Sequence, residues 1–409
     1  MTLDLVQLAG RIDGLVSTFE QELRAREARI ARARSLLDEI ENEALAAAVG
    51  RAQHANWLMV LPVEPIGMHR AVQPLDAGYA TLATDGSSID IDRHGPATCY
   101  LINIGHACLH YGAAEADLGN EPELTFASDR LLLADRTNAS KESVMTGNLL
   151  DAYRTAREML RLAQLALERR TIRPLVALLD GQFVLWGVKE AELSSSAQAA
   201  IFEDGILVAL DRLRDLALAG NFALGSYISR PAGREVINSL RVGVCPRKPY
   251  ADCLDCPRRA DLSRPCDDVA AGSDQHLLAS LLSEGERKAI FRRVSPSADF
   301  IHTEKRYEAG GHGMRFFYLK VAGGEIGRVE LPEWVAEDGA AVDLLHATVL
   351  DQCARGDGYP VVLQEAHEQA VIDIVDRRSF AALIERELER RGQFPQFSAK
   401  SISKRRRTI

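Results

Sequence analysis

The chain opens on a helical period. Leu5, Leu8, Ile12, Leu15, Val16 and Phe19 fall on one face of a helix, and EQELRAREARIARARSLLDEIENEALAAA continues it with interleaved charges and no proline. Residues 1–55 are therefore predicted helical. Such an arm either packs on its own domain with one face in solvent or docks on a partner. Pro62, Pro65 and Pro74 then predict an extended connection. β-Forming runs follow and predict strands over 79–91, 97–110 and 124–127, joined as an antiparallel meander. A second helix is expected over 141–170. Its inward stripe would be Leu149, Tyr153, Ala156, Leu160, Ala163 and Leu167, with Arg157, Arg161, Gln164 and Glu168 solvated. An apolar strand over 175–179, a helix over 195–218 and a short strand, loop and helix around Pro231 come next. MRFFYLKV and EIGRVELP read as a hairpin turning at Gly323-Gly324. The chain then predicts a helix over 342–353, a strand over 360–363 and a helical end.

Three strands, a helix, a further strand and then mixed elements match an α/β fold of the ribonuclease-H-like kind, a mixed sheet flanked by helices. The segments divide into a helical arm (1–57), a main domain (58–243 and 295–392), a Cys-rich insertion with a helix (244–294) and a basic tail (393–409). In the tail, Lys404-Arg405-Arg406-Arg407 is either a solvated end or a phosphate-contacting arm.

With 409 residues, 46% hydrophobic and 26% charged, the chain suits a soluble globular protein of one large or two ordinary domains. No run is long and apolar enough for a bilayer, and MTLDLVQLAGRIDG lacks a signal-peptide layout, so a cytoplasmic protein without a membrane partner is expected. A net charge of -9 argues against a nucleic-acid coat but leaves room for an enzyme with a local basic groove.

Two apolar strands end in the same signal. One runs into Asp85-Gly86-Ser87, the other into Asp180-Gly181. Either alone reads as a common turn dipeptide. Together they can set two carboxylates side by side, which repel unless a cation lies between them, so a divalent metal site is the natural hypothesis. Glu158 has Arg161, Leu162 and Leu165 as helix neighbours, so it is either a snorkelling surface residue or one aimed at a site. His106 and His110 share a strand face, which suits a metal or two ordinary strand histidines. Cys245, Cys253, Cys256 and Cys266 form C-x7-C-x2-C-x9-C in a proline-rich stretch, which points to structural zinc or a [4Fe–4S] cluster. Cys99, Cys108 and Cys353 read as core.

DGS at 85–87, LLDG at 178–181, SYISRP at 226–231, FFYL and RVELPEWVA within 316–336, and EAHEQAVI at 365–372 together resemble the NurA family of DNA-end-processing nucleases. The resemblance covers most of the chain. It implies a ribonuclease-H-like fold and a manganese- or magnesium-dependent deoxyribonuclease, exonuclease and endonuclease, acting on single- and double-stranded DNA. It also implies a homodimer and a hexameric HerA-type translocase ATPase as partner in double-strand-break repair. Asp85 and Asp180 match the family's metal-binding aspartates, His367 its late metal-site histidine and Tyr227 a site tyrosine. Glu158 is taken as the family's helix glutamate in preference to Glu168, which lies on the polar stripe. Arg230 and Arg234, beside Tyr227, can hold a phosphate or serve structural salt bridges. Two other classes compete. An actin-like phosphotransferase or ATPase also begins phosphate loops with Asp after a strand, but LLDGQF is poor in the glycines it needs. A non-catalytic DNA-repair adaptor would use the arm and the cysteines, and would be indifferent to Asp85→Ala.

Overall fold

The computed structural model describes residues 5–393 except 53–54, 56, 76–77, 93–96, 114, 127–130, 135–141, 187, 189–191, 247–250, 252, 254, 257–263 and 296–301. The basic run Lys404–Arg407 lies outside the described residues. Two compact units form, each from segments distant in sequence.

One unit comprises residues 1–72, 228–305 and 314–330. Strand Met59–Pro62 pairs antiparallel with Phe291–Val294, which pairs antiparallel with Met314–Lys320. The turn to Ile326–Pro332 uses Gly323 and Gly324 at φ 84° and 82°, a region that favours glycine, so the predicted hairpin is present. Leu37, Leu45, Val236, Leu240, Phe291 and Phe316 form its core. Buried charges accompany that core. Arg328 donates to Glu235 at 2.9 Å and to Glu330 at 2.8 Å, and Arg293 to Glu330 at 2.8 Å and to Glu304. The helix Leu5–Glu39 buries Ala33 and Leu37 in this core, while Leu15 (68%) and Phe19 (58%) stay exposed.

The other unit comprises residues 73–227, 306–313 and 331–409. Strands β1 (Ala80–Ile89), β2 (Tyr100–His110) and β3 (Glu115–Thr125) form the predicted antiparallel meander. The run expected at 124–127 is the end of β3. After helix α1 (Asn148–Glu168), strand β4 (Leu175–Asp180) pairs parallel with β1, and β5 (Phe222–Ser229) pairs parallel with β4. The strand order is β5-β4-β1-β2-β3.

Helix α1 starts later than its periodicity suggests. Gly147 adopts φ 55°, which no helix continues through, and Asp90 accepts from Thr146 Oγ1 and the Gly147 amide, both at 2.9 Å. Glu142–Val144 instead pairs with Leu132–Ala134. The buried stripe is also rotated from the predicted one. Leu149, Ala152, Ala156, Met159, Ala163 and Ala166 are buried with Leu162 and Leu165, whereas Tyr153, Leu160 and Leu167 are half-buried. Two packing partners explain this, because α1 lies against β1 and also against the π-helical stretch Ala199–Ile206 and α2 (Leu207–Ala217). Arg157 and Arg161, expected in solvent, pair with Glu123 (2.9 Å) and Glu121 (2.6 Å) of β3.

Helix α3 (Gly339–Arg355) precedes the second departure. Where a strand was expected at 360–363, Pro360 instead caps helix α4 (Val361–Ala370). Proline pre-sets the entry backbone, and Val362, Leu363, Ala366 and Ala370 are buried at helical spacing, which overrides the β-branched pair. Helix α5 (Ile374–Arg390) follows and buries none of its side chains.

Helix α4 packs on β1 and β2 so closely that only glycine fits beneath it. A Cβ at Gly105 would stand 2.3 Å from the Ala370 amide nitrogen and 2.4 Å from the Ala366 carbonyl oxygen. Nearby, Ser87 Oγ (2.8 Å) and Asn103 Nδ2 (2.9 Å) donate to the Ala370 carbonyl, satisfying the helix end. Both obstructing atoms are backbone, so Gly105→Ala should lower stability by about 2–3 kcal/mol in denaturant unfolding as α4 is pushed off the sheet.

Candidate active site

Successive residues of β1 face opposite sides of the sheet. Thr84 and Gly86 face α1: Thr84 Oγ1 donates to the Glu158 carbonyl at 3.0 Å, and a Cβ at Gly86 would stand 2.5 Å from Glu158 Oε1. Asp85 and Ser87 face α4. His367 Nδ1 lies 2.7 Å from Asp85 Oδ2, an imidazole N–H donating to the carboxylate, and the histidine is 62% exposed. Thr84 is in parallel register with Leu179, so the next pair along the two strands is Asp85 and Asp180.

Asp180 is opposite Tyr227 on β5 and accepts a hydrogen bond from the Tyr359 hydroxyl. The Gly181 amide donates to the Tyr227 carbonyl at 2.9 Å, and Gly181 takes φ 81°, turning the chain immediately after the aspartate. The fully buried Tyr227 ring meets Tyr359 edge to face at 5.7 Å. Burial raises the Tyr359 pKa, and the charges of Asp180 and Asp85 raise it further.

Glu158 is buried, and its Oε1 has no hydrogen-bond partner. Its pKa is pushed up to about 8, by burial first; Arg154 opposes the shift, and the charges of Asp85, Asp180 and Asp151 add to it. The Glu158 carboxylate thus senses both strand aspartates. Arg154 lies 3.8 Å from Glu158 and 3.9 Å from Asp151, and also donates to the Gly86 carbonyl.

Asp85, Asp180, Glu158, Tyr227 and His367 therefore belong to one neighbourhood. Tyr359 and Arg154 join them unpredicted. The sequence signal for Arg154 was its position four residues before Glu158 on the same helix. Tyr359 had none beyond standing next to Pro360. Arg230 and Arg234 belong to the other unit, where Arg230 lies 3.6 Å from Glu325. His106 is buried with its pKa lowered by burial and then by Arg161, and His110 lies 3.9 Å from Glu115. Cys99, Cys108 and Cys353 are buried, as expected.

Among the described residues, no three His, Cys, Asp or Glu side chains are already closed into a metal cage. The donors nevertheless suit a hard divalent cation. Asp85, Asp180 and Glu158 supply carboxylate oxygens, one of them a buried orphan, and His367 adds an imidazole. Among the described residues no helix is long and apolar enough to cross a membrane.

A mixed sheet flanked by helices, with acidic side chains gathered at adjacent strand ends, defines a mixed α/β class of protein. Within that class, the NurA domain model matches residues 79–372. This chain belongs to the NurA family, a family of nucleases. A solved structure described as NurA with manganese is similar at 11% identity and a TM-score of 0.38, covering 77% of this chain and 90% of the other. No curated protein matches.

The pKa of Glu158 fixes a sign. Between the ordinary 4.5 and about 8, the unfolded chain ionises this group while the folded chain keeps it protonated. Its contribution to stability is whole below 4.5 and is lost as pH rises towards 8. Glu158→Gln should leave the melting temperature nearly unchanged near pH 5 and raise it by a few degrees near pH 8. A variant less stable than the parent at both pH values would contradict this placement.

Proposed function

We propose that this chain is a divalent-cation-dependent deoxyribonuclease with a ribonuclease-H-like core, its ions held by Asp85, Asp180, Glu158 and His367. The observation that carries this reading is the neighbouring position of Asp85 and Asp180 on parallel strands, with buried Glu158 within electrostatic range of both. Manganese is the preferred ion because one donor is an imidazole; magnesium is the alternative. When bound, such an ion supplies a water of lowered pKa and neutralises charge on the scissile phosphate.

The chain's own groups prepare the site. Tyr359 and His367 hold the Asp180 and Asp85 carboxylates in fixed orientations. Tyr227, fully buried, packs edge to face against Tyr359 and supports its ring. Glu158 must surrender its proton to act as a ligand, so cation affinity increases with pH up to about 8.

The substrate in this reading is single- and double-stranded DNA at broken ends, cut as exonuclease and endonuclease in cytoplasmic double-strand-break repair. A homodimer and a HerA-type hexameric ATPase that delivers DNA complete it. The exposed stripe Leu5, Leu8, Ile12, Leu15 and Phe19 supports the assembly part, because its alternating spacing of three and four is that of a helix-docking seam. Arg230, 77% exposed on its side chain, is assigned to phosphate contact.

Linear DNA incubated with the full chain and Mn²⁺ should be degraded. Asp85→Asn and Asp180→Asn should each lose about 10²-fold or more of that activity. Tyr359→Phe should lose about 10-fold at limiting Mn²⁺ and recover as Mn²⁺ is raised. Equal digestion by the parent and both aspartate variants would sink the assignment.

A further inference from the structure

The cysteine-bearing segment lies in the unit that does not contain the acidic site. It leaves helix Glu235–Gly243 at Cys245, whose amide donates to the Val242 carbonyl at 3.1 Å. Among the described residues between Gly243 and Ser273, the one helical turn is Pro265–Val269, which carries the buried Cys266. A connection this long, with one short turn of helix among its described residues, is uncommon in a compact domain without some other constraint.

The segment is nevertheless drawn together. Cys245 and Cys253 pack against the hydrophobic core, and Cys253 lies within electrostatic range of Cys266, Cys245 and Cys256 together. Arg241 is nearly buried; its Nη2 lies 3.8 Å from Cys266 Sγ and donates to Asp267 at 2.8 Å, and its guanidinium stacks 4.1 Å over the Trp57 ring. Burial, and then the neighbouring thiols Cys266 and Cys245, push the Cys253 thiol up to about 11; burial likewise raises Cys266, with Arg241 opposing both shifts, so these thiols keep their protons until a metal displaces them.

We infer that Cys245, Cys253, Cys256 and Cys266 hold a metal centre through four thiolates, and that this centre folds the segment and takes no part in phosphodiester cleavage. Binding to such ligands releases their protons and becomes folding energy for a chain that cannot bury a core of its own. A single zinc ion and a four-iron cluster share this ligand chemistry. One zinc needs four sulfurs at about 2.3 Å from a common point. The described cysteines are not already gathered to that spacing. The inference is independent of the nuclease reading, since its readout is metal content.

The test uses full-length protein purified without oxygen and assayed for iron, sulfide and zinc. About four iron and four sulfide per chain, with a broad visible absorbance, identify the cluster; about one zinc per chain identifies the single ion. Either result supports the thiolate site. The double variant Cys253→Ser, Cys266→Ser should lose that metal and unfold at lower temperature. A parent chain without iron or zinc, whose four thiols react freely under native conditions, would overturn the inference. So would metal retained undiminished in the double variant. The parent measurement needs no variant to fold.

Discussion

The site depends on one geometric constraint: neighbouring residues of a strand cannot face the same way. At the end of β1 this sends Asp85 towards α4 and position 86 towards α1. Glycine at 86 leaves room for the Glu158 carboxylate, which a larger residue would displace. Gly105, directly opposite Asp85 in the β1–β2 register, does the same on the other side, letting α4 settle low enough for His367 to reach the aspartate. Two absent side chains, at the same level of the sheet but on opposite faces, thus bring two helices to one acidic strand end.

That convergence is electrostatically costly. Glu158 is largely buried, within electrostatic range of two further carboxylates, with Arg154 beside it as a compensating charge. Burying such a group without a full set of partners lowers stability, and proteins tolerate it where function demands it. The rest of the unit resists collapse of the arrangement. α1 is clamped from both sides by β1 and α2, and Asp90 fixes the backbone just before its first turn. The contrast with the other unit is instructive. There the buried Arg293 and Arg328 are each shared between glutamates, so the interior charges compensate one another.

Asp85 and Asp180 were legible because each closes an apolar strand with an Asp-Gly signal, and the parallel register then brings them together. Glu158 was legible only halfway: helix spacing showed an apolar flank, but not which side faced the sheet. The apolar residues of α1 cover more than one stripe, and the helix turned to satisfy two packing partners where periodicity suggested one. Tyr359 could not have been found, since its role comes from contact with a strand far away in sequence. The misplaced strand at 360–363 has a local cause, a valine pair whose preference was outweighed by a proline cap and a buried helical face. The division into two units was hidden for a similar reason, because each is assembled from interleaved stretches that only long-range contacts reveal.

The outer strand β3 limits how copies of this chain can associate. It is exposed along nearly all its length, carries Glu115, Asp117, Glu121 and Glu123, and places Pro122, which has no amide hydrogen, opposite Asn103. Three of those acids are neutralised from behind by Arg157, Arg161 and Arg169, so the edge is held in place rather than repelled from the fold. A foreign strand approaching this border would meet a missing donor and a row of carboxylates. Growth of the sheet from molecule to molecule, the usual hazard of a long exposed margin, is disfavoured along this strand.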